Sequence, residues 1–596
     1  MSARTSTLAG TALIVALIAS VCGAVQTRQP DSTPLVELAS SKFPNLTHAE
    51  RALLKFAETA DVDRGPFAVA GTSADPDDSS NDPQQADMWS HDRDIRASLV
   101  AWLCHAPAAT PLVNRAEIKI LGARIVGGLD LSYVRVPFAL TMRRCSIAER
   151  IALVGTEIPH LDLNGSYVSE IDAKGLIVHG DLDLANGFHA SGETRIESAR
   201  IDGAVICTGG YFHYSKLSMS RYAGTDKPAL ILDEVTVGSE VDLDFGFHSE
   251  GAVLMRQASV AHDLGMYGAR MSNPHNLAFT ANFSSFGSVW FGNPEEPSWG
   301  IFEADGRVDF VAAKIATSII VSDARFLGAP SDAHGFFGSA ITAGSFLFWR
   351  NVQLQNGATV DLSGAHVGTL LDEEKSWPEP GKLLINGFTY DGFGPGAPST
   401  LRTRLRWISL QPRGRVEFAP QPYRQLAKVY RESGLDNEAI RVLLAEQDAR
   451  YARYGPIGRF WGGILRDTIG YGHRPLLAIF WSFAVVILGW AVVRTANAAG
   501  VMRPTWPETP PAFADQEYEP LQPLLYSLDV FLPFVNLHQE RYWWPKPGSS
   551  GEFRAVGMTF TFRGSLVRYY LWAQIIAGWL LSAIFVAGIT GLMSND

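Results

Sequence analysis

The sequence predicts a mainly β protein, a parallel β-helix (right-handed favoured) with helical caps, followed by a C-terminal transmembrane α-hairpin. Three observations carry that expectation. A ten-residue pattern with an internal glycine recurs through the middle of the chain, two apolar runs near the C-terminus are long enough to cross a bilayer, and the composition is too apolar for a disordered chain. With 596 residues, 46% apolar and 19% charged, the length suits several ordinary domains or one elongated repeat body. The net charge of −11 comes with no concentrated Lys/Arg face, which argues against nucleic acid as a partner.

At the N-terminus, Arg4 precedes the apolar run Leu8 to Val21 and the small residues Gly23 and Ala24, so residues 1–24 read as a signal peptide or an uncleaved signal anchor. Residues 25–115 read as an N-terminal helical cap. Thr47 and Glu50 have capping-box spacing ahead of Leu53, Leu54 and Phe56, and Ile95, Leu99, Trp102 and Leu103 suggest a second helix. Between them, the acidic Pro/Ser/Asp stretch 71–87 has little to bury and is expected to be a mobile loop. Cys22, Cys104, Cys145 and Cys207 show no metal-ligand or redox-pair spacing and read as small buried residues.

Over 116–400 the chain breaks into short alternating runs. Gly122 to Leu131 reads GARIVGGLDL, Gly175 to Leu184 reads GLIVHGDLDL and Ser198 to Cys207 reads SARIDGAVIC, with weaker copies at 234–243, 313–322, 339–348 and 364–373. Period-two alternation marks strands, and the glycine between two runs marks a sharp corner. Copies recur at irregular separations, commonly in the twenties, which excludes a fixed-length propeller blade and matches stacked coils. Ile125, Leu129, Ile177 and Leu182 are the expected core residues.

Residues 401–468 form a linker and an αα-hairpin: Pro422 opens a helix, Gly434 stops it and Asp436 starts the next. That hairpin is expected to cap the last coil, where strand edges would otherwise be open. Residues 469–596 form the membrane domain, with spans 475–493 and 569–593 and an interfacial or re-entrant segment over 524–545. Tyr471, Arg474, Tyr542, Trp543, Trp544, Tyr569 and Trp572 are the residue types that sit at a lipid interface. A pore-lining alternative for 524–545 would use Ser527, Asp529 and Asn536. Arginines flank both sides of the first span equally, so the apolar N-terminus decides the expected topology, with the β-helix outside the cytoplasm.

The runs RLRWISLQ (404–411), APQPYRQLAKVYRESGLDNEAIRVLLAEQDARYAR (419–453), TIGYGHRP (468–475) and LLYSLDVFLPFVNLHQERYWWP (524–545) resemble bacterial membrane proteins that join a pentapeptide-repeat-like β-helix to a two-span C-terminus. The resemblance covers most of the chain from about residue 90. It implies a bacterial inner-membrane, multi-pass location. Such proteins are often labelled membrane-associated oxidoreductases, but the family brings no established catalytic residues to transfer.

Gly392 to Ala397 spells G-x-G-x-x-A, yet Pro398 follows and neither a βαβ unit nor a ribose-binding acid accompanies it, so no dinucleotide cofactor is expected. Thr468 to Gly472 has the letters of a potassium-channel filter but precedes the span instead of lying between an outer and an inner helix. Asp130, Asp162, Asp183, Asp242 and Asp361 recur between apolar residues. Stacked at one corner they would repel one another and could hold a divalent cation, whereas outward carboxylates facing water need no partner. No catalytic residue and no cofactor emerges, so the favoured function is a non-catalytic scaffold or binding surface for a protein or glycan partner, attached to the lipid bilayer and possible as a homo-oligomer. The alternatives are a carbohydrate-active or redox enzyme on the β-helix surface, or a channel element built from the oligomerised hairpin.

Overall fold

The computed structural model describes residues 33–59, 67–214, 227–328, 335–412, 418–472, 476–505, 520–555 and 558–589. It divides into one compact unit up to Val416 and another from Glu417. The signal-like run Leu8 to Val21, Cys22 and the expected interface residue Arg474 lie outside the described residues.

In the first unit, thirty-eight described strands join in a single parallel ladder. Through most of its length each strand pairs with the strands four before and four after it, the pairing of a four-sided parallel β-helix. On the first side, Leu140, Leu161, Leu182 and Val205 stand in register, so these coils take 21 to 23 residues. Ile147, Val168, Ala190 and Phe212 do so on the second side, Ile151, Ile171 and Thr194 on the third, and Ile158, Val178 and Ile201 on the fourth.

One coil displays the rule. Leu161 to Gly180 divides into LDLNG, SYVSE, IDAKG and LIVHG, five residues to a side. The first and third residues of each five (Leu161 and Leu163, Ser166 and Val168, Ile171 and Ala173, Leu176 and Val178) are all buried. Two residues of strand per side is all the backbone such a coil needs, since its N–H groups donate to the coils on either side (Leu161 N to Asp181 O, Tyr167 N to Cys145 O) or across a corner, as Ser166 N does to Leu163 O. Gly165 and Gly175 turn corners with φ of 64° and 67°, where a Cβ is unfavourable.

The expected core is largely found, with one correction. Ile125, Leu129 and Leu182 are buried, but Ile177 is the outward member of its strand and Leu176 and Val178 point inward instead. Alternation alone places Ile177 inside; the five-residue side moves the phase at each corner. The interior also changes along the stack. Leu, Ile, Val and Cys fill the early coils, whereas Phe279, Phe291, Phe302, Phe310, Phe326 and Phe336 fill the later, longer ones.

At the N-terminal end, α1 (Pro34–Lys42) and α2 (His48–Glu58) pack together, and α2 also packs on the strands Ala68–Val69 and Asp94–Arg96. The capping box of Thr47 and Glu50 is present. α3 spans Ala97–His105 and buries Leu99, Trp102 and Leu103, whereas Ile95 belongs to the strand before it. The acidic stretch 71–87 is not a free loop. It runs through short turns at Ser79–Asn81 and Pro83–Met88, and buried Asn81 donates from Nδ2 to Ser73 O and Asp75 O, a local ladder that substitutes for apolar burial. At the other end, α4 (Leu401–Ile408) buries Trp407 against Phe388 and Tyr390 of the last coil.

In the second unit, α5 (Gln421–Glu432) and α6 (Asp436–Ala452) form the expected αα-hairpin. α7 (Gly455–Ile469) follows, and Gly470 ends it in the left-handed conformation. α8 (Leu476–Ala498) contains Leu477–Ala498, which is long and apolar enough to cross a membrane. α9 (Pro523–Phe531) contacts both α8 and the 26-residue helix Gly564–Ile589. A short helix, α10 (Gln539–Tyr542), precedes that last helix, α11.

Candidate functional site

The ten-residue copies do not all occupy the same corner. Those beginning at 175, 198, 234 and 313 run from the fourth side to the first, while Gly122 to Leu131 runs from the second to the third. The recurrent aspartates are divided accordingly. Asp162, Asp183 and Asp242 lie on the first side, Asp130 and Asp361 on the third. Only Asp162 and Asp183 are immediate neighbours, because Ile206 separates Asp183 from Asp242. Among the described residues, no group of three or more His, Cys, Asp and Glu is arranged to hold a metal ion.

Three of the five have a local structural use. Asp130 accepts from Ser132 N at 2.9 Å, Asp162 from Asn164 N at 2.8 Å and Asp361 from Ser363 N at 2.8 Å. Each side chain closes an Asx turn at the corner after its strand, which explains an Asp two residues before Ser or Asn without a ligand. Arg143 further pairs with Asp162 at 2.8 Å. Asp183 accepts from Asn164 Nδ2 at 2.6 Å, and burial together with the Asp162 charge raises its pKa.

Asp242 differs. Burial, then the neighbouring Asp244, Glu240 and Asp263, push it up to about 7. Gly265 lies against this group: a Cβ there would stand 3.3 Å from Tyr267 Cε2, 3.4 Å from Asp242 Oδ1 and 3.6 Å from Asp244 Oδ2. Aromatic rings adjoin the acids. Trp290 Nε1 donates to Asp263 Oδ2 at 3.2 Å, and Tyr267 meets Trp299 edge-on at 5.0 Å between ring centres. Phe245 is 5.5 Å from Trp299, and these two are 48% and 36% exposed. Carboxylates beside exposed rings can accept hydrogen bonds from hydroxyls while the rings meet C–H faces.

The second side carries another outward feature. Tyr167, His189, Tyr211 and His248 occupy one register position in four successive coils, their rings stacked at 4.7, 4.7 and 4.9 Å. Burial lowers the pKa of His189 and of His248, and burial with Glu250 raises Tyr211 to about 12. The row ends at a cavity of about 310 Å³ lined by His248, Glu250, Lys227 and Arg270. Neither the ring row nor Asp244, Asp263, Tyr267 and Trp299 was legible as a site, because coil lengths vary and no fixed spacing joins these residues in the sequence.

In the second unit, Tyr569 and Trp572 are exposed, 5.6 Å apart, with Arg568 over the Trp572 ring. Tyr542, Trp543 and Trp544 are half-buried, and Trp543 packs on the cluster of Val493, Met502, Tyr526 and Leu571. Tyr471 is half-buried too. Its hydroxyl lies 2.9 Å from Asp448 Oδ1 and 2.7 Å from Gly462 O, so it holds α6 and α7 together. Ser527 donates to Val486 O, Asp529 accepts from Leu537 N and Glu540 N, and Asn536 accepts from His538 N, so all three have bonds inside the unit. Gly392 pairs with Thr369 within the last strand, and Gly394 and Gly396 follow it in the turn toward α4, where Pro395 O accepts from Arg350. Cys104, Cys145 and Cys207 are buried free thiols.

Comparison with protein-family models, with curated proteins and with solved structures finds no match to this chain.

Proposed function

We propose that the chain is a membrane-anchored β-helix scaffold, wound right-handed, whose wall is a non-catalytic binding surface outside the cytoplasm of a bacterial cell. One observation carries the reading: a single parallel ladder repeats side chains in long register rows, of which the Tyr167, His189, Tyr211, His248 row is the clearest. Rows of that kind suit an elongated partner that meets the same chemistry at each coil. α8 and α11 are read as the two spans of a multi-pass anchor, supported by the apolar length of Leu477–Ala498 and the contact between the two helices.

A second reading has its own observation. Asp242, held near neutral pH beside Asp244 and Asp263 and bordered by Tyr267 and Trp299, is the arrangement that general acid chemistry on a glycan would need. One experiment addresses both. Full-length protein in carbonate-washed membranes is mixed with bacterial cell-wall glycan and with neutral and acidic polysaccharides, and both retention and released products are measured. Retention without products supports the binding surface. Product release abolished by Asp242→Asn establishes the enzyme, and loss of the chain from carbonate-washed membranes removes the anchor.

A further inference from the structure

Among the described residues, α7 presents an exposed apolar stripe. Ile457, Phe460, Trp461 and Ile464 are 73%, 65%, 56% and 37% exposed, and their spacing of three, one and three residues places them along one line of the helix. The opposite faces are accounted for. Gly458 and Gly462 lie so close to Tyr451 of α6 that a Cβ would meet Tyr451 O at 2.3 Å and Tyr451 Cβ at 2.9 Å, respectively. Arg459 and Arg466 project roughly opposite the stripe, as a 100° turn per residue requires.

Four large apolar side chains in a row are costly to leave in water and mark an interaction surface. Its occupant is indicated by continuity and charge. α8 begins seven residues after α7 ends and presents its own exposed Ile479, Phe480 and Phe483. Between 448 and 467 there are four arginines, at 450, 453, 459 and 466, against aspartates at 448 and 467. An apolar stripe with Trp and Phe, flanked by arginines and leading into a span, is the chemistry of a helix lying in the plane of a bilayer surface.

We propose that α7 is an in-plane membrane helix, with Ile457, Phe460, Trp461 and Ile464 at the acyl boundary and Arg459 and Arg466 on the side of the anionic headgroups and water. The proposal rests on the membrane anchorage argued above and adds a second mode of contact to it. It also gives α6 and Tyr471 a role: the Tyr451–Tyr471 stack at 5.6 Å fixes α7 against a helix hairpin and so sets its tilt.

The test is a spin-label scan of full-length protein carrying Cys22→Ser. Cys104, Cys145 and Cys207 are buried and resist labelling; burial pushes the first two thiols up to about 12. Single cysteines at 457, 459, 460, 461, 464 and 483 are labelled and the protein is placed in vesicles of phosphatidylcholine with phosphatidylglycerol. Accessibility to lipid-dissolved oxygen is compared with accessibility to a water-soluble nickel complex. The expected result is a several-fold higher oxygen-to-nickel ratio at 457, 460, 461 and 464 than at 459. Nickel access along the stripe overturns the proposal, and so does exclusion of both reagents, which would mean coverage by protein or by a second copy. The label at Phe483 separates the two readings: a deep label there with a wet stripe removes α7 alone, whereas a wet label at Phe483 removes the anchor.

Discussion

Arg404 of α4 and Asp372 of the penultimate coil form a fully buried two-point ion pair, with Nη2 2.6 Å from Oδ1 and Nη1 2.9 Å from Oδ2. The guanidinium also lies 3.9 Å from the centre of the Phe393 ring, and Trp377 Nε1 donates to the same carboxylate at 2.8 Å. A charge buried so completely is tolerable only because its partner is fixed in place.

That dependence gives the first prediction. Arg404→Met leaves Asp372 buried beside one indole N–H, and breaking such a pair costs about 3–5 kcal/mol. We expect a lowered urea midpoint and early proteolysis near residues 394–400, where the last coil meets α4. Arg404→Met with Asp372→Leu should recover most of the loss, because neither charge is then stranded. Equal instability of the single and double variants would show that the pair is not what holds the cap.

The coil assignment is tested within a few residues of chain. Leu129 is 1% exposed and stacks on Ile151, whereas Val126 nearby is 46% exposed. Leu129→Asp buries an unpaired carboxylate and should cost several kcal/mol or prevent folding, while Val126→Asp should leave thermal unfolding nearly unchanged. Similar melting of the two variants would contradict the inward and outward assignment.

How far the sequence reaches is visible in the same residues. Leu129, Leu182 and the corner glycines announce a coiled β architecture, because inward Leu and a left-handed corner have few substitutes. Ile177 is misread because a two-residue strand cannot display a period of two. Asp130 and Asp183 share the letters L-D-L but sit on different sides, since the side on which a copy falls depends on the cumulative length of the coils before it. The Asp242 group is hidden for that reason: Asp244 is close in sequence, but Asp263, Tyr267 and Trp299 arrive from later coils. The apolar stripe of α7, by contrast, follows from helical spacing, but only the structure shows that α6 takes the glycine face while Ile457, Phe460 and Trp461 stay exposed.

Asp242 predicts a pH dependence with a definite sign. An unfolded aspartate titrates at about 3.9, whereas the folded one is held near 7, so the native state keeps a proton that the unfolded chain releases between those values. This group's contribution is therefore complete below about pH 4, declines as pH rises to about 7 and is level above that. Asp242→Asn should raise the Tm at pH 8 by about 2 °C and flatten the slope between pH 4 and 7. An unchanged slope in the variant would place the proton on another member of the cluster.

The last prediction concerns α9, which is seated between two glycines. A Cβ on Gly489 of α8 would meet Ser527 Oγ at 2.2 Å, and one on Gly578 of α11 would meet Phe531 O at 1.9 Å. Gln574, 2% exposed, donates from Nε2 to Ser527 O at 2.9 Å and lies 2.8 Å from Ser527 Oγ. Small residues here let backbones approach, and the amide then satisfies a carbonyl of α9. Gly578→Ala pushes against backbone, which cannot rotate away as a side chain would, and overpacking of this kind costs about 1–3 kcal/mol. Gly463→Ala in α7, where nothing among the described residues stands within 4 Å, is the matched control and should be neutral or mildly stabilising. Ser527→Ala removes both the donor to Val486 O and a partner of Gln574, for about 1 kcal/mol. Thermal unfolding of the full chain in detergent should rank Gly578→Ala as the least stable, then Ser527→Ala, then Gly463→Ala; a Gly578→Ala variant as stable as the parent would mean that α9 does not sit against α11.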